Sequence, residues 1–546
     1  RSRLPTFGEA VLEKSSWNSA VNVLAQSSME YNEHKDDFEC ENSLSTMSRP
    51  TMSFNTEACS DDEHRSLLLR MAGSRTQSFI DRVIPDKLSW RDVSWLMLSD
   101  IVGTSILTFG GIAASLGWFF TLFGIIFLFP VSVYISVLMT RTRYLLESAA
   151  KRRGVLAPRV SSMSEVADAT FGPRMGKFVG FAVYGTTLLG NASYLLAMGE
   201  SLQLLLFDRP FCISEATAIA CMCVLPFIIG VRKLVESVWL CLINTLMILV
   251  VIVLAVYNIG QQGRNECVET HLLSPNLTFF SLMGSFTNMV YAYAGQWMYF
   301  EIMEEMEKPG EFPKAFAIAG PFMVGIYATV ACFAYYHYGQ FTEGELLRNM
   351  NRDEGLRSAG GLLFAHVIIV YVLKSTILTR CLHKFSCPST FEKRSVSSYL
   401  HHTAWGSAML AFCFLVANSI PFFDLLLGLI GGLLAGPINF LFPLAFYLAA
   451  VKLHRDAQRE PNRLPEWSSS KLKDLYRALK EHKASEVAFI VVIFVIVGLT
   501  MVTGTADVIY NIAERQQAIG KPFACAPLTP QLTINFTDHN CSIIKN

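Results

Sequence analysis

The chain has little charge. Only 16% of its 546 residues are Asp, Glu, Lys or Arg, against 52% hydrophobic residues and a mean hydropathy of +0.36, values that exclude an ordinary water-soluble domain. The excess apolar surface has to face a lipid bilayer. Net charge is also lacking, because 45 Lys and Arg balance 45 Asp and Glu, so bulk electrostatics give no reason to expect nucleic acid or an acidic partner. There is no HExxH, no GxSxG and no phosphate loop with its lysine, so neither an enzyme nor an ATP-driven pump has a motif to stand on. The scattered His and Cys lack zinc spacing. We expect no catalytic residue, no metal and no cofactor. A cleavable signal sequence is also missing from the first eighty-odd residues, which are polar and hold no sufficiently long apolar core.

Long apolar runs are what the chain does have. At a rise of roughly 1.5 Å per residue, segments such as 279–300, 315–338 and 487–505 can cross a hydrocarbon core about 30 Å thick. Spans are expected near 92–115, 117–139, 176–205, 215–230, 236–259, 279–301, 315–338, 359–379, 403–420, 423–450 and 485–511. The fold class is therefore an all-α membrane protein of about eleven transmembrane helices. With the amino terminus cytoplasmic, the inner loops hold about two dozen Lys and Arg and the outer side about eight, as the positive-inside rule requires. That orientation puts the sequons at Asn276 and Asn535, and another at Asn540, on the outer or luminal face. Cys212, Cys267, Cys525 and Cys541 share that oxidising face, and a Cys212–Cys267 disulfide is the favoured pairing.

The chain divides into three parts. Residues 1–89 read as a disordered cytoplasmic tail, 90–511 as the membrane domain and 512–546 as an outer or luminal tail. Within the first tail, Glu63-His64-Arg65-Ser66-Leu67-Leu68 has the form of an acidic dileucine sorting signal, which leaves a plasma-membrane or a vacuolar or lysosomal address open. Leu472, Leu475, Tyr476 and Leu479 recur at helical spacing among basic residues, as in a short helix lying on the inner leaflet. A basic solvated linker fits the same pattern.

Two spans carry interruptions. Gly103-Thr104-Ser105 and Gly110-Gly111 break the first, and Gly284, Thr287, Asn288, Tyr291, Tyr293, Gly295 and Gln296 place small and polar residues within the sixth. Irregular backbone at membrane depth is tolerated only where it is buried or lines a cavity. If spans one to five and six to ten are inverted repeats, the two broken helices occupy corresponding positions and form a midplane binding site. Half-helix amino termini offer N–H groups to a carboxylate and half-helix carboxyl ends offer carbonyls to an ammonium, which suits a zwitterionic amino acid. The bland alternative is that these small residues only let helices pack closely.

These residues resemble a known family. Gly103-Thr104-Ser105-Ile106-Leu107 with Leu116-Gly117-Trp118 is similar to the first-helix motif of the amino acid/auxin permease family. Glu301-Ile302-Met303-Glu304-Glu305-Met306 with Phe312-Pro313-Lys314-Ala315 resembles its pattern after the sixth helix, and Ile420-Pro421-Phe422-Phe423-Asp424 with Gly428, Gly431, Pro437 and Pro443 its ninth and tenth. The resemblance implies eleven helices in a 5+5 inverted-repeat, leucine-transporter-like fold that moves amino acids with a proton or sodium gradient. Two departures are visible: Phe109-Gly110 replaces a usual Leu-Pro, and Gln296 stands where many members have His.

Ionisable groups inside spans need a reason, because each costs at least ~2.5 kcal/mol on insertion scales. Asp100, Lys374 and His366 are the three candidates for ion coupling. In proteins of the fold this chain resembles, helices one and eight often hold sodium between them. An Asp100–Lys374 pair would put a fixed ammonium there, giving sodium-independent, proton-linked symport. Snorkelling explains Lys374 equally well, and packing explains His366. Glu301 and Glu304, with Glu305, could close an inner gate with basic loop residues, although so close to the cytoplasmic surface a solvated cluster is the better reading. The rival to a symporter is a sensor that binds an amino acid and signals to a cytoplasmic partner through its tail.

Overall fold

The computed structural model describes residues 87–519 except 102, 156, 159, 210, 231–237, 265–266, 388–394, 461–478 and 480–483; beyond 519 it describes residue 523 and two short strands. The expected sorting signal, nearly all of the amino-terminal tail and most of the basic segment at 472–479 lie outside the described residues. So do Asn535, Cys525 and Cys541.

Helices start where side chains can satisfy the free N–H groups of a first turn. Ser89 and Asp92 cap each other reciprocally at the head of α1 (Trp90–Ile101). After a 3-10 turn at Thr104–Thr108 the chain enters α2 (Phe109–Arg152). Ser162 caps α3 (Met163–Phe171), whose end at Gly172 leads directly into α4 (Pro173–Leu205). Then come α5 (Ile213–Gly230) and α6 (Val238–Gln262). A Thr278–Ser281 capping box opens α7 (Phe279–Ala292), which resumes after a break as the short α8 (Tyr299–Glu304). The next pair is α9 (Phe312–Tyr338) and α10 (Glu354–Ser386), the latter capped by Asp353; Ser395 caps α11 (Val396–Ser419). Two π-helical stretches, Gly431–Ala435 and Pro437–Leu441, join α12 (Phe423–Ile430) to α13 (Phe442–Arg459). A third, Thr500–Gly504, joins α14 (Ala484–Leu499) to α15 (Thr505–Ile519). Two-residue strands at Thr533–Ile534 and Ile543–Ile544 pair antiparallel.

Eight helices among the described residues are long and apolar enough to cross a membrane. The chain is an integral membrane protein built almost wholly of helices. Its outer surface carries Ile126, Phe181, Met222, Val253, Phe322 and Val502 exposed, as a lipid-facing belt requires. The second expected span, 117–139, lies within α2, which turns at Gly117 and runs on past the expected end to Arg152.

One residue turns α2 sharply. Gly117 has φ 80° and ψ 177°, a region essentially confined to glycine that costs other residues on the order of 1–3 kcal/mol. A Cβ there would lie 2.8 Å from the Leu272 carbonyl oxygen. That loop is stitched to the turn by three backbone bonds, from Trp118 to His271, Phe119 to Leu272 and Ser274 to Leu116. The core lies behind it: α9 packs along α1 and α2, α10 along α4, and α13 along α2. From Gly190 to Leu204 every residue of α4 is buried, so this helix runs through the centre of the bundle.

Candidate functional site

The two interrupted helices meet. Gly103, Thr104 and Ser105 from the first break and Tyr291, Ala292, Ala294, Gly295 and Trp297 from the second line one cavity of about 70 Å³. Helix α4 adds Thr186, Thr187, Gly190 and Tyr194, helix α10 adds Lys374, and the π-helical stretches add Ala435 and Asn439.

Each break is held open by particular bonds. At the second, Tyr327 donates its hydroxyl hydrogen to the Ala292 carbonyl at 2.9 Å, and Tyr293 donates to the Ile125 carbonyl at 2.6 Å. The Trp297 N–H, free of an intrahelical partner at the start of the resumed helix, donates to Asn439 Oδ1 at 3.0 Å. Asn439 in turn donates from Nδ2 to the Ala435 carbonyl at 2.8 Å. A π-helical stretch carries one residue more per hydrogen-bonded ring than an α-helix, and such stretches cluster at functional sites. Here one delivers the side chain that satisfies the break.

The lining is chemically one-sided. Among the described lining residues Lys374 is the only charged one and none is a carboxylate, while Thr104, Ser105, Thr186, Thr187, Tyr194 and Tyr291 supply hydroxyls. The Lys374 ammonium stands 5.5 Å above the centre of the Tyr194 ring, a cation–π distance. A cation among hydroxyl donors, beside two helix breaks, can hold a carboxylate.

Six of the expected binding residues line the cavity or its immediate frame: Gly103, Thr104, Ser105, Tyr291 and Gly295 by direct lining, and Gln296 by accepting the Gly295 N–H at 2.9 Å while its Nε2 lies 3.4 Å from Ser132 Oγ. Three others point elsewhere. Tyr293 braces α2 and stacks edge-on against Tyr327. Thr287 packs against Gly428, Gly431 and Gly432, and Asn288 lies beside Gly428 with its Oδ1 buried and without a hydrogen-bond partner. His366 does not reach the cavity either. It is fully buried between α10 and α6, its Nδ1 3.0 Å from the Asn244 carbonyl. The side chain of Asp100 lies outside the described residues, so its pairing with Lys374 does as well. Thr186, Thr187, Gly190, Tyr194 and Asn439 went unread in the sequence, although the Gly431–Pro437 cluster near Asn439 was a signal.

At the end of the bundle rich in basic residues, Arg143 bridges Glu304 at 2.7 Å and Glu147 at 2.9 Å. Leu88 pairs with the segment after α8, donating to the Glu305 carbonyl at 2.8 Å and accepting from Glu307 N at 3.0 Å. Glu301 is exposed. At the opposite end Asn276 is exposed, and six cysteines among the described residues are free.

Fold and cavity together define a multi-helix membrane protein with a small buried polar site at two broken helices. A family model described as "transmembrane amino acid transporter protein" matches residues 86–463. The chain belongs to that family. It is 24% identical over 355 residues to amino acid transporter AVT1B of Arabidopsis thaliana, covering 62% of this chain and 60% of that protein. It is 28% identical over 188 residues to lysine histidine transporter-like 6 of the same plant, covering 32% and 41%. To amino acid transporter AVT1C, also from Arabidopsis thaliana, it is 24% identical over 203 residues, covering 37% and 36%. The chain thus spans less than two thirds of the length of each.

Proposed function

We propose that this chain is a secondary transporter that carries a small amino acid across a membrane by proton-coupled symport. The observation that carries the reading is the cavity where the two breaks meet, with Lys374 as the one charged group among its described lining residues. Family membership and relatives named as amino acid transporters support the substrate class. The substrate carboxylate faces Lys374 and the hydroxyls of α4, and its ammonium faces the backbone carbonyls at the ends of the broken helices. Because Lys374 supplies a permanent cation beside the first-span break, no sodium ion is needed there. The reading takes eleven crossings: the eight long apolar helices, α4, the α7–α8 pair across its break, and α1 with the head of α2 up to Gly117. It takes the first five and the next five as inverted repeats, with the amino terminus cytoplasmic.

Uptake of labelled amino acids into proteoliposomes under an imposed proton gradient, a sodium gradient or neither tests this. Accumulation driven by the proton gradient alone is expected, and Lys374→Ala loses it. Sodium-dependent uptake by the wild type contradicts the coupling. Saturable binding without flux under any gradient supports the sensor instead. Disulfide mapping by peptide mass decides whether Cys212 and Cys267 join each other or reach Cys525 and Cys541.

A further inference from the structure

Away from the cavity, at the end of the bundle that holds Asn276, two carboxyl groups share one arginine. Glu200, near the end of α4, is 3% exposed, and Glu345, in the loop between α9 and α10, is 4% exposed. Arg348 Nη2 lies 3.0 Å from Glu200 Oε1, and its Nε lies 3.5 Å from Glu345 Oε2. The second oxygen of Glu200 is buried without a hydrogen-bond partner, and Glu345 Oε2 has no hydrogen bond either, only the longer ion-pair contact.

The charges do not balance. With both carboxyls ionised the buried cluster carries one uncompensated negative charge, a state that burial penalises heavily. Among the described residues no second cation is recorded against it. Glu343 stands nearby and adds negative potential. Asp424 on α12 also adds to it but is bridged by Arg515 of α15 at 3.2 Å. Arg357 of α10 is spent on Asp208, and Asp353 is spent on Asn258 and on capping α10. Burial alone would weaken the charge on Arg348, but Glu200 and Glu345 outweigh it and hold the guanidinium firmly protonated. Among the described groups, a proton is what remains to supply the missing positive charge.

We propose that Glu200 and Glu345 form a proton-binding site in which one hydrogen is shared between the two carboxyls and Arg348 neutralises the remaining charge. Protonated, the cluster is neutral and ties the α9–α10 loop to α4. Deprotonated, it strains that tie by burying a net charge. The loop's 3-10 turns at Gly339–Phe341 and Leu346–Asn349 rest on α2, and the latter also on the Thr104–Thr108 turn of the first break. Proton occupancy thus bears on whether this end of the cavity is covered. That last link rests on the transporter reading, whereas the shared proton does not.

The test uses the purified full chain with Glu345→Gln and, separately, Glu200→Gln, each of which makes the cluster neutral without a proton. The wild type has an infrared band of a buried protonated carboxyl at neutral pH, and its melting temperature falls as pH rises through loss of that proton. Both substitutions remove the band and flatten that slope. In proteoliposomes, wild-type uptake falls about tenfold per pH unit on the alkaline limb, as one required proton dictates, and Glu345→Gln flattens it. A wild type lacking both band and slope, or variants that keep both, overturns the shared proton. Band and slope with no uptake at any pH leaves the site standing and contradicts the transporter reading instead. Band and slope with an unchanged uptake profile in the variants overturns the link to the loop.

Discussion

Asn439 shows what a single residue has to do when a helix breaks at depth. Its amide accepts from Trp297 N–H and donates to the Ala435 carbonyl, so removing it leaves both groups unpaired away from water. Asn439→Leu is expected to cost about 1–3 kcal/mol, read as a lower melting temperature in detergent, and to reduce substrate binding more than Asn439→Gln does. Equal effects of the two substitutions contradict that role. Lys374 makes the complementary case. Sequence alone left it between a functional charge and a snorkelling side chain, because membrane depth does not say which way a residue faces. Its place above Tyr194 and inside the cavity follows from how α10 packs along α4, a tertiary fact that no local pattern encodes.

The breaks in the first and sixth spans were legible at the level of elements, because glycine and polar residues in an apolar run are costly and so stand out. The third contributor was not. Helix α4 offers Thr186, Thr187, Gly190 and Tyr194 without an interruption to mark them, and from Gly190 to Leu204 it is buried on every side, so its composition gave no preferred direction there. The same limit misplaced Thr287 and Asn288, which lie on the turn before the break and face α12. There the packing is tight: a Cβ on Gly431 would sit 2.1 Å from the Thr287 carbonyl oxygen. Gly431→Ala is therefore expected to destabilise by about 1–3 kcal/mol through overpacking, and an unchanged melting temperature contradicts this contact. At the basic end, the Arg143–Glu304 bridge joins α2 to α8. It is half exposed and worth little in stability, so its test is access. Arg143→Ala should speed labelling of a cysteine placed at Thr140, which touches Met303, by an impermeant thiol reagent, with little change in melting temperature.

For the molecule as a whole, hydropathy and charge asymmetry carry the topology, since the bilayer leaves a chain few ways to satisfy its backbone. Asn276 gives that topology a readout. It is exposed in the loop before α7, so Asn276→Gln should remove a glycan, with a downward gel shift, if that loop faces the lumen or exterior. A chain glycosylated instead at a site introduced beside Lys314 would invert the assignment. The central claim is that the cavity between the two breaks is where the amino acid binds. Gly190 lines it from α4, and a Cβ there approaches only the Tyr291 hydroxyl, at 3.5 Å, so a larger side chain fills the site without displacing backbone. The decisive measurement is saturable binding and uptake of labelled amino acids by reconstituted wild type and Gly190→Leu at matched melting temperature. The account predicts both activities in the wild type and neither in the variant. Undiminished binding and uptake by Gly190→Leu would contradict it.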